Sequence, residues 1–139
     1  MYGRTRRELL GKSGNEVFGP MDKYQVDATI GDVYLVSRFN RNNVIGRPTV
    51  YFVMDVFSRM ITGFHVSLSK PSWETAIMTM YNTYRDKVEL CKKYGIEIAE
   101  EDWPCYGLPK ELLTDNGEFV SSKSYGLIED LGVDLENHQ

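Results

Sequence analysis

Two aspartates occupy positions from which their carboxylates could act together. Asp27 lies in Tyr24-Gln25-Val26-Asp27-Ala28-Thr29-Ile30, where Tyr24, Val26, Ala28 and Ile30 alternate with polar residues. That two-residue period predicts a strand with one apolar face, and Asp27 points away from it. Asp115 follows Glu111-Leu112-Leu113-Thr114 and precedes Asn116-Gly117. It therefore falls at the carboxyl end of a short strand, where α/β sheets place ligands. If the two strands are neighbours, the carboxylates converge. Converging hard oxygens suit Mg²⁺ or Mn²⁺. Two such ions can activate a water or a 3′ hydroxyl on one side of a phosphorus and stabilise the leaving oxygen on the other. Carboxylates serve here because the pair repels until a dication draws it together. Spacing alone leaves other readings open. An aspartate before Asn-Gly is also a common turn residue, and Asp55, ahead of Val56-Phe57-Ser58-Arg59, reads as a turn cap.

The elements that must position these groups are legible in outline. Asp32 to Val36 reads as a continuation of the first strand after a break at Gly31, and the polar stretch from Arg38 to Pro48 reads as a loop. Thr49 to Met54 is apolar on both faces, as in a buried strand, and Met60 to Leu68 follows as a third, so close in sequence that the two should pair antiparallel. Trp73, Ile77, Met80, Tyr81, Tyr84, Val88 and Cys91 recur at three- and four-residue steps, which predicts one helix from about Trp73 to Tyr94. Ser72 can cap it, Glu74 suits its first turn, Lys92 and Lys93 suit its last, and Gly95 can close it. Met78 and Met80 read as packing residues. Glu97 to Gly107 is an acidic loop, Ser122 to Leu131 a second helix, and Val133 to Leu135 the start of a last strand. The order strand, strand, strand, helix, strand, helix, strand predicts an α/β layer fold with a mixed sheet.

Composition narrows the class. The 139 residues suit one compact domain, and six Phe, nine Tyr and two Trp can fill its core. No apolar run is long enough for a transmembrane helix, and the basic, polar start has no secretory apolar stretch. Residues 1–20 read as a basic arm or linker, with Arg4, Arg6, Arg7 and Lys12 among glycines, and residues 21–139 as the domain. Cys91 and Cys105 read as free thiols of a reducing compartment, and His65 and His138 form no familiar zinc spacing with them. The net charge is −4. It is unevenly spread: residues 1–70 hold ten Lys/Arg and six Asp/Glu, residues 71–139 six and fourteen. A polyanion would find the first half more welcoming, although scatter of ordinary surface charge accounts for it equally well.

Three segments together resemble the integrase core of the ribonuclease-H-like superfamily. They are Tyr24-Gln25-Val26-Asp27-Ala28-Thr29, then Val53 to Gly63 with Asp55-Val56-Phe57-Ser58-Arg59 inside it, then Leu113-Thr114-Asp115-Asn116-Gly117-Glu118-Phe119. The last is the most specific, with Glu118 following Gly117 a residue sooner than in some relatives. Within the superfamily, the run from Gln25 to Val36 is similar to the TnsB-like subunits of cut-and-paste transposons, near the Mu-type transposases. The resemblance spans about Met21 to Gln139. It implies a ribonuclease-H-like mixed sheet, three antiparallel strands followed by parallel ones, with flanking helices. It also implies a D-D-E triad holding two Mg²⁺ or Mn²⁺ ions, to which Asp27 and Asp115 contribute the first two members. The third, a glutamate on a later helix, is expected beyond Gln139, in a core that continues past this chain. Glu129 and Glu136 come too early and read as solvated surface charges.

The activity so implied is metal-dependent cleavage at transposon 3′ ends and strand transfer to target DNA. DNA, other transposition proteins and further copies of the chain are the implied partners, in a bacterial cytoplasm at the nucleoid. Arg38, Arg41 and Arg47, in the loop before the second strand, are candidates for phosphate contacts, with scattered surface basicity as the competing account; Asn116 is a further candidate DNA contact, and with Gly117 a candidate for shaping the loop beside the metals. Two other classes stay open: a non-catalytic ribonuclease-H-like module that binds DNA or protein, and a structure-specific nuclease of the same fold. The chain alone is expected to bind DNA weakly and not to cut or join it.

Overall fold

The computed structural model describes residues 17–114, 117–120 and 122–137. The basic stretch up to residue 16, Asp115 and Asn116 lie outside them. The main sheet has five strands. β1 spans Lys23–Ile30, β4 Thr49–Asp55, β5 Ile61–Ser67, β6 Glu111–Thr114 and β7 Asp134–Asn137, in the spatial order β5-β4-β1-β6-β7. β5, β4 and β1 pair antiparallel, whereas β1 with β6 and β6 with β7 pair parallel. This is the predicted mixed sheet, with the first and fourth long strands side by side. β2 (Leu35–Val36) and β3 (Val44–Gly46) form a separate two-stranded sheet.

Alternation decides the two faces. Tyr24 and Val26 are buried and Gln25, Asp27 and Thr29 are exposed along β1. On β4, Tyr51 and Val53 are buried and Phe52 is exposed. Because Val26 pairs with Val53 and Ala28 with Tyr51, the buried side chains share one face. That face is covered by α1 (Trp73–Tyr84), α3 (Gly117–Val120) and α4 (Ser122–Asp130). The core consists of Tyr24, Val26, Tyr51, Val53, Ala76, Met80, Leu112, Phe119, Ile128 and Val133. Ten such side chains withdrawn from water supply the main drive for folding, at about 25 cal/mol per Å² of apolar area.

Three expectations need correcting. The single helix predicted from Trp73 to Tyr94 is two helices, α1 and α2 (Lys87–Lys93). Its ends are right: Ser72 accepts from Thr75 N–H, and Gly95, at φ +77, closes the second helix. The break falls at Arg85, which is extended. Asp86 causes it by capping α2, accepting from Val88 N–H, while buried Lys87 donates to the carbonyls of Thr83 and Arg85 at the end of α1. One residue satisfies the new N–H ends and the next the abandoned C=O ends, so the ladder can be interrupted at little cost. The buried stripe of α1 also differs from the predicted aromatic one. Thr75, Ala76, Thr79, Met80, Asn82 and Thr83 face the sheet, while Tyr81 and Tyr84 are exposed. Met80 packs as expected, but Met78 is 39% exposed.

The reason lies in Gly63 of β5. A Cβ there would stand 2.3 Å from Thr83 Oγ1 and 2.7 Å from Thr83 Cα. The helix lies so close to the sheet that only small side chains fit between them, and Thr79 and Thr83 hide their hydroxyls by donating to carbonyls one turn back. The third correction concerns residues 32–48. They form neither a continuation of β1 nor a plain loop, but the β2–β3 hairpin. Gly31 N–H donates to Pro48 C=O, extending the β1–β4 ladder by one step, and a Cβ on Gly31 would meet Pro48 Cγ at 2.9 Å. Only glycine allows the two strands to cross that closely before they leave the sheet.

Candidate active site

Asp27 lies on the polar face of β1, exposed, opposite Phe52 of β4. Its Oδ1 accepts from Ala28 N–H at 2.9 Å. Among the described residues no lysine, arginine or histidine is paired with it. A carboxylate presented to solvent with its charge uncompensated is chemically fit to take a hard dication. On the other side of β1, β6 runs parallel, with Gln25 level with Leu113. Leu112 and Thr114 of β6 are buried. Asp115 and Asn116, the next residues in the chain, lie outside the described residues.

The other candidate carboxylates are committed elsewhere. Asp55 is 2% exposed and ties the β4–β5 turn: its oxygens accept from Ser58 N–H, Ser58 Oγ and Met21 N–H. It is the turn cap that its sequence context predicted. Glu118 accepts from the Tyr51 hydroxyl. Burial first, then Glu118, pushes the Tyr51 phenol well above its ordinary range. Tyr51 belongs to the buried face and Asp27 to the other, so Glu118 stands across the sheet from Asp27.

Glu129 and Glu136, expected as solvated surface charges, are partly exposed and each has a partner. Glu129 accepts from Leu135 N–H, fastening the end of α4 to the start of β7. Glu136 lies 3.4 Å from Lys23 Nζ, which also approaches Glu111 at 3.8 Å. Burial, and then the hydrogen bond with Glu136, raises the Glu111 carboxyl above its usual range. Sequence reasoning missed this three-strand cluster because Lys23, Glu111 and Glu136 meet only once β1, β6 and β7 are aligned.

The three arginines of the hairpin region are exposed. Arg47 donates to Gly31 C=O and Asp32 and lies over the Tyr34 ring, so it holds the base of the hairpin. Arg38 lies over the Phe39 ring, and Arg41 is at the tip. Cys91 and Cys105 are free thiols. A cavity of about 360 Å³ at the α1–α2 junction, lined by Tyr84, Arg85, Trp103 and Tyr106 among others, contains none of the predicted site residues. Among the described residues no three His, Cys, Asp or Glu side chains gather as a metal cluster, and no helix is long and apolar enough to cross a membrane.

Solved structures share this architecture. The catalytic core domain of HTLV-2 integrase, in complex with magnesium in a trimeric form, matches with a TM-score of 0.51 at 14% identity, over 86% of this chain and 60% of that one. The simian T-cell lymphotropic virus intasome, in complex with the PP2A regulatory subunit B56 gamma, matches with a TM-score of 0.53 at 16% identity, over 86% of this chain and 32% of that one. The fold is therefore the ribonuclease-H-like fold of integrase cores. In sequence, the chain is 42% identical over 137 residues to the Tn7 transposition protein TnsB of Escherichia coli, covering 99% of this chain and 20% of that protein. It is 26% identical over 117 residues to the transposase for transposon Tn552 of Staphylococcus aureus, covering 84% of this chain and 21% of that protein. The chain thus spans about a fifth of the length of these curated relatives. The family model of the TnsB C-terminal domain matches residues 25–139, and the chain belongs to that family.

Proposed function

We propose that this chain is part of the catalytic core of a DNA transposase, in which Asp27 and Asp115 hold divalent metal for cleavage at transposon 3′ ends and transfer to target DNA. The observation that carries the reading is the parallel pairing of β1 with β6, joined to membership of a transposition-protein family. β1 and β6 run side by side, with Gln25 level with Leu113. On that reading Asp27 and Asp115 would hold Mg²⁺ or Mn²⁺, with Asn116 shaping the loop beside them. The metal, when bound, supplies Lewis-acid stabilisation of the reacting phosphoryl oxygens. The chain's own contribution would be positional: β1, at the centre of the five-stranded sheet, carries Asp27, and in-line transfer requires a partner group held as firmly. Residues 1–20 act as a basic arm and residues 21–139 as core. Transposon ends, target DNA, other transposition proteins and further copies of the protein are its partners, in a bacterial cytoplasm at the nucleoid.

The test is cleavage and joining of labelled transposon ends by the longer protein that contains this segment, with Mg²⁺ present. Asp27→Asn and Asp115→Asn should each lower turnover by about 10²-fold or more, the scale for losing one preorganised electrostatic group. DNA binding and the far-ultraviolet spectrum should stay unchanged. Full activity in either variant would overturn the assignment. Binding without turnover in the unsubstituted protein would favour the non-catalytic module instead.

A further inference from the structure

The β2–β3 hairpin displays an apolar ring where a folded chain has little reason to keep one. Phe39 is 92% exposed, and Tyr34 is 71% exposed below it. The tip that carries Phe39 is tied by its own hydrogen bonds. Ser37 Oγ accepts from the N–H groups of Phe39 and Asn40, Asn40 Oδ1 accepts from Asn42 N–H, and Ser37 N–H donates to Asn43 C=O. The base is equally fixed, by Arg47 on Gly31 and Asp32. The ring is therefore held out by a braced loop.

Charge and position together indicate what would meet it. Between Gly31 and Pro48 the only acidic residue is Asp32, and Arg47 takes it. Among the described residues neither Arg38 nor Arg41 is paired with a carboxylate. The hairpin leaves the sheet where β1 ends, three residues beyond Asp27, so it extends from the edge that bears the candidate site. At about 3.3 Å per residue, a chain from Gly31 to Ser37 reaches at most roughly 20 Å past that edge, or about six base pairs of duplex.

We propose that this hairpin is a DNA wedge: Phe39 stacks against a base step of duplex DNA lying across the catalytic edge, and Arg38 and Arg41 neutralise the flanking phosphates. The inference rests on the transposase reading and adds to it a residue and a mode of contact. An exposed aromatic flanked by arginines without carboxylate partners suits this task, because every base offers a π-face and every step a pair of phosphates; Arg38, which lies over the Phe39 ring, would move to a phosphate as the ring stacks.

The test uses the longer protein, unsubstituted and as Phe39→Ala, Phe39→Trp and Arg38→Gln/Arg41→Gln, with duplexes carrying 2-aminopurine at successive positions. The unsubstituted protein and Phe39→Trp should raise the fluorescence at one step, and Phe39→Ala should not. Phe39→Ala should bind a fully paired duplex about tenfold more weakly, the scale of one lost stack, and should recover on a duplex mismatched at that step. The arginine pair should flatten the salt dependence by about two units of log–log slope. Since Phe39 touches no core, melting temperatures should be unchanged. If the unsubstituted protein cuts transposon ends but Phe39→Ala matches it in fluorescence and affinity, the wedge is wrong and the transposase reading survives. If the unsubstituted protein neither cuts nor joins DNA, the transposase reading itself fails.

Discussion

Asp27 and Asp55 lie on adjacent strands and carry the same group, yet their surroundings assign them opposite work. Asp55 is buried and accepts three hydrogen bonds, among them 2.6 Å from Ser58 Oγ and 3.2 Å from Met21 N–H. Removing its carboxylate leaves those part-buried donors without their acceptor. Asp55→Ala should therefore cost about 1–2 kcal/mol in urea unfolding, because the acid is buried while its donors stay partly open to water. Asp27 is exposed and holds only its neighbour's N–H among the bonds described. Asp27→Asn should leave unfolding within about 0.5 kcal/mol of the unsubstituted chain. Equal costs for the two substitutions would mean that Asp27 has a structural role not visible in its contacts. Both placements were legible in sequence, since period-two alternation put Asp27 outside and the Val-Phe-Ser-Arg context put Asp55 in a turn. Glu118 was not legible. It stood in a recognisable motif, but its partner Tyr51 is 67 residues away and becomes a neighbour only through sheet pairing.

The elements repeat that division between local and non-local signals. All five strands of the main sheet were predicted near their observed bounds, because alternation and apolar runs are local. The helix face was misjudged because Trp73, Tyr81 and Tyr84 looked like an apolar stripe, whereas the choice was made by Gly63 on another element. Gly63→Ala should destabilise the chain by about 1–3 kcal/mol, the usual cost of overpacking. Adding Thr83→Ala should restore only part, since Thr83 Cα itself would lie 2.7 Å from the new methyl. Complete rescue in the double variant would show that the hydroxyl alone sets the spacing. The break between α1 and α2 carries a pH signature. Burial pushes the Lys87 ammonium down to about 8 from 10.5. Between those values the unfolded chain binds more protons than the folded one, so this group's contribution to stability rises with pH. Below about 8 both states are protonated and the cost of burying the charge is constant, and above about 10.5 it has vanished. Lys87→Met removes the titration, so the difference in melting temperature between the two proteins should move in favour of the unsubstituted chain from pH 8 to 10.5. A constant difference would show that the carbonyls of Thr83 and Arg85 fully compensate the buried charge.

At the scale of the molecule, activity turns on whether this chain can assemble a complete acidic site by itself. Only three glutamates follow Asp115, and the structure engages all of them: Glu118 with Tyr51, Glu129 with Leu135 N–H, and Glu136 with Lys23. Freeing any of them would break a contact that holds the fold, and Glu118 stands on the wrong side of the sheet. Two aspartates can recruit a dication loosely. They do not fix both the attacking and the leaving oxygen, which is what a two-metal centre contributes. DNA binding should be limited as well, because a net charge of −4 offers few cations to displace counterions. The expectation is that the 139-residue chain binds DNA weakly and neither cuts nor joins transposon ends with Mg²⁺ or Mn²⁺, whereas, on the transposase reading proposed above, a longer form with a third carboxylate would do both. A strand-transfer assay on labelled ends, run on the two proteins side by side with Asp27→Asn and Asp115→Asn of each, decides it. Activity confined to the longer protein and abolished by either substitution supports a third carboxylate supplied from outside these residues. Turnover by the short chain that either substitution abolishes would mean that a glutamate now bound to Tyr51, Leu135 or Lys23 leaves its partner to complete the site.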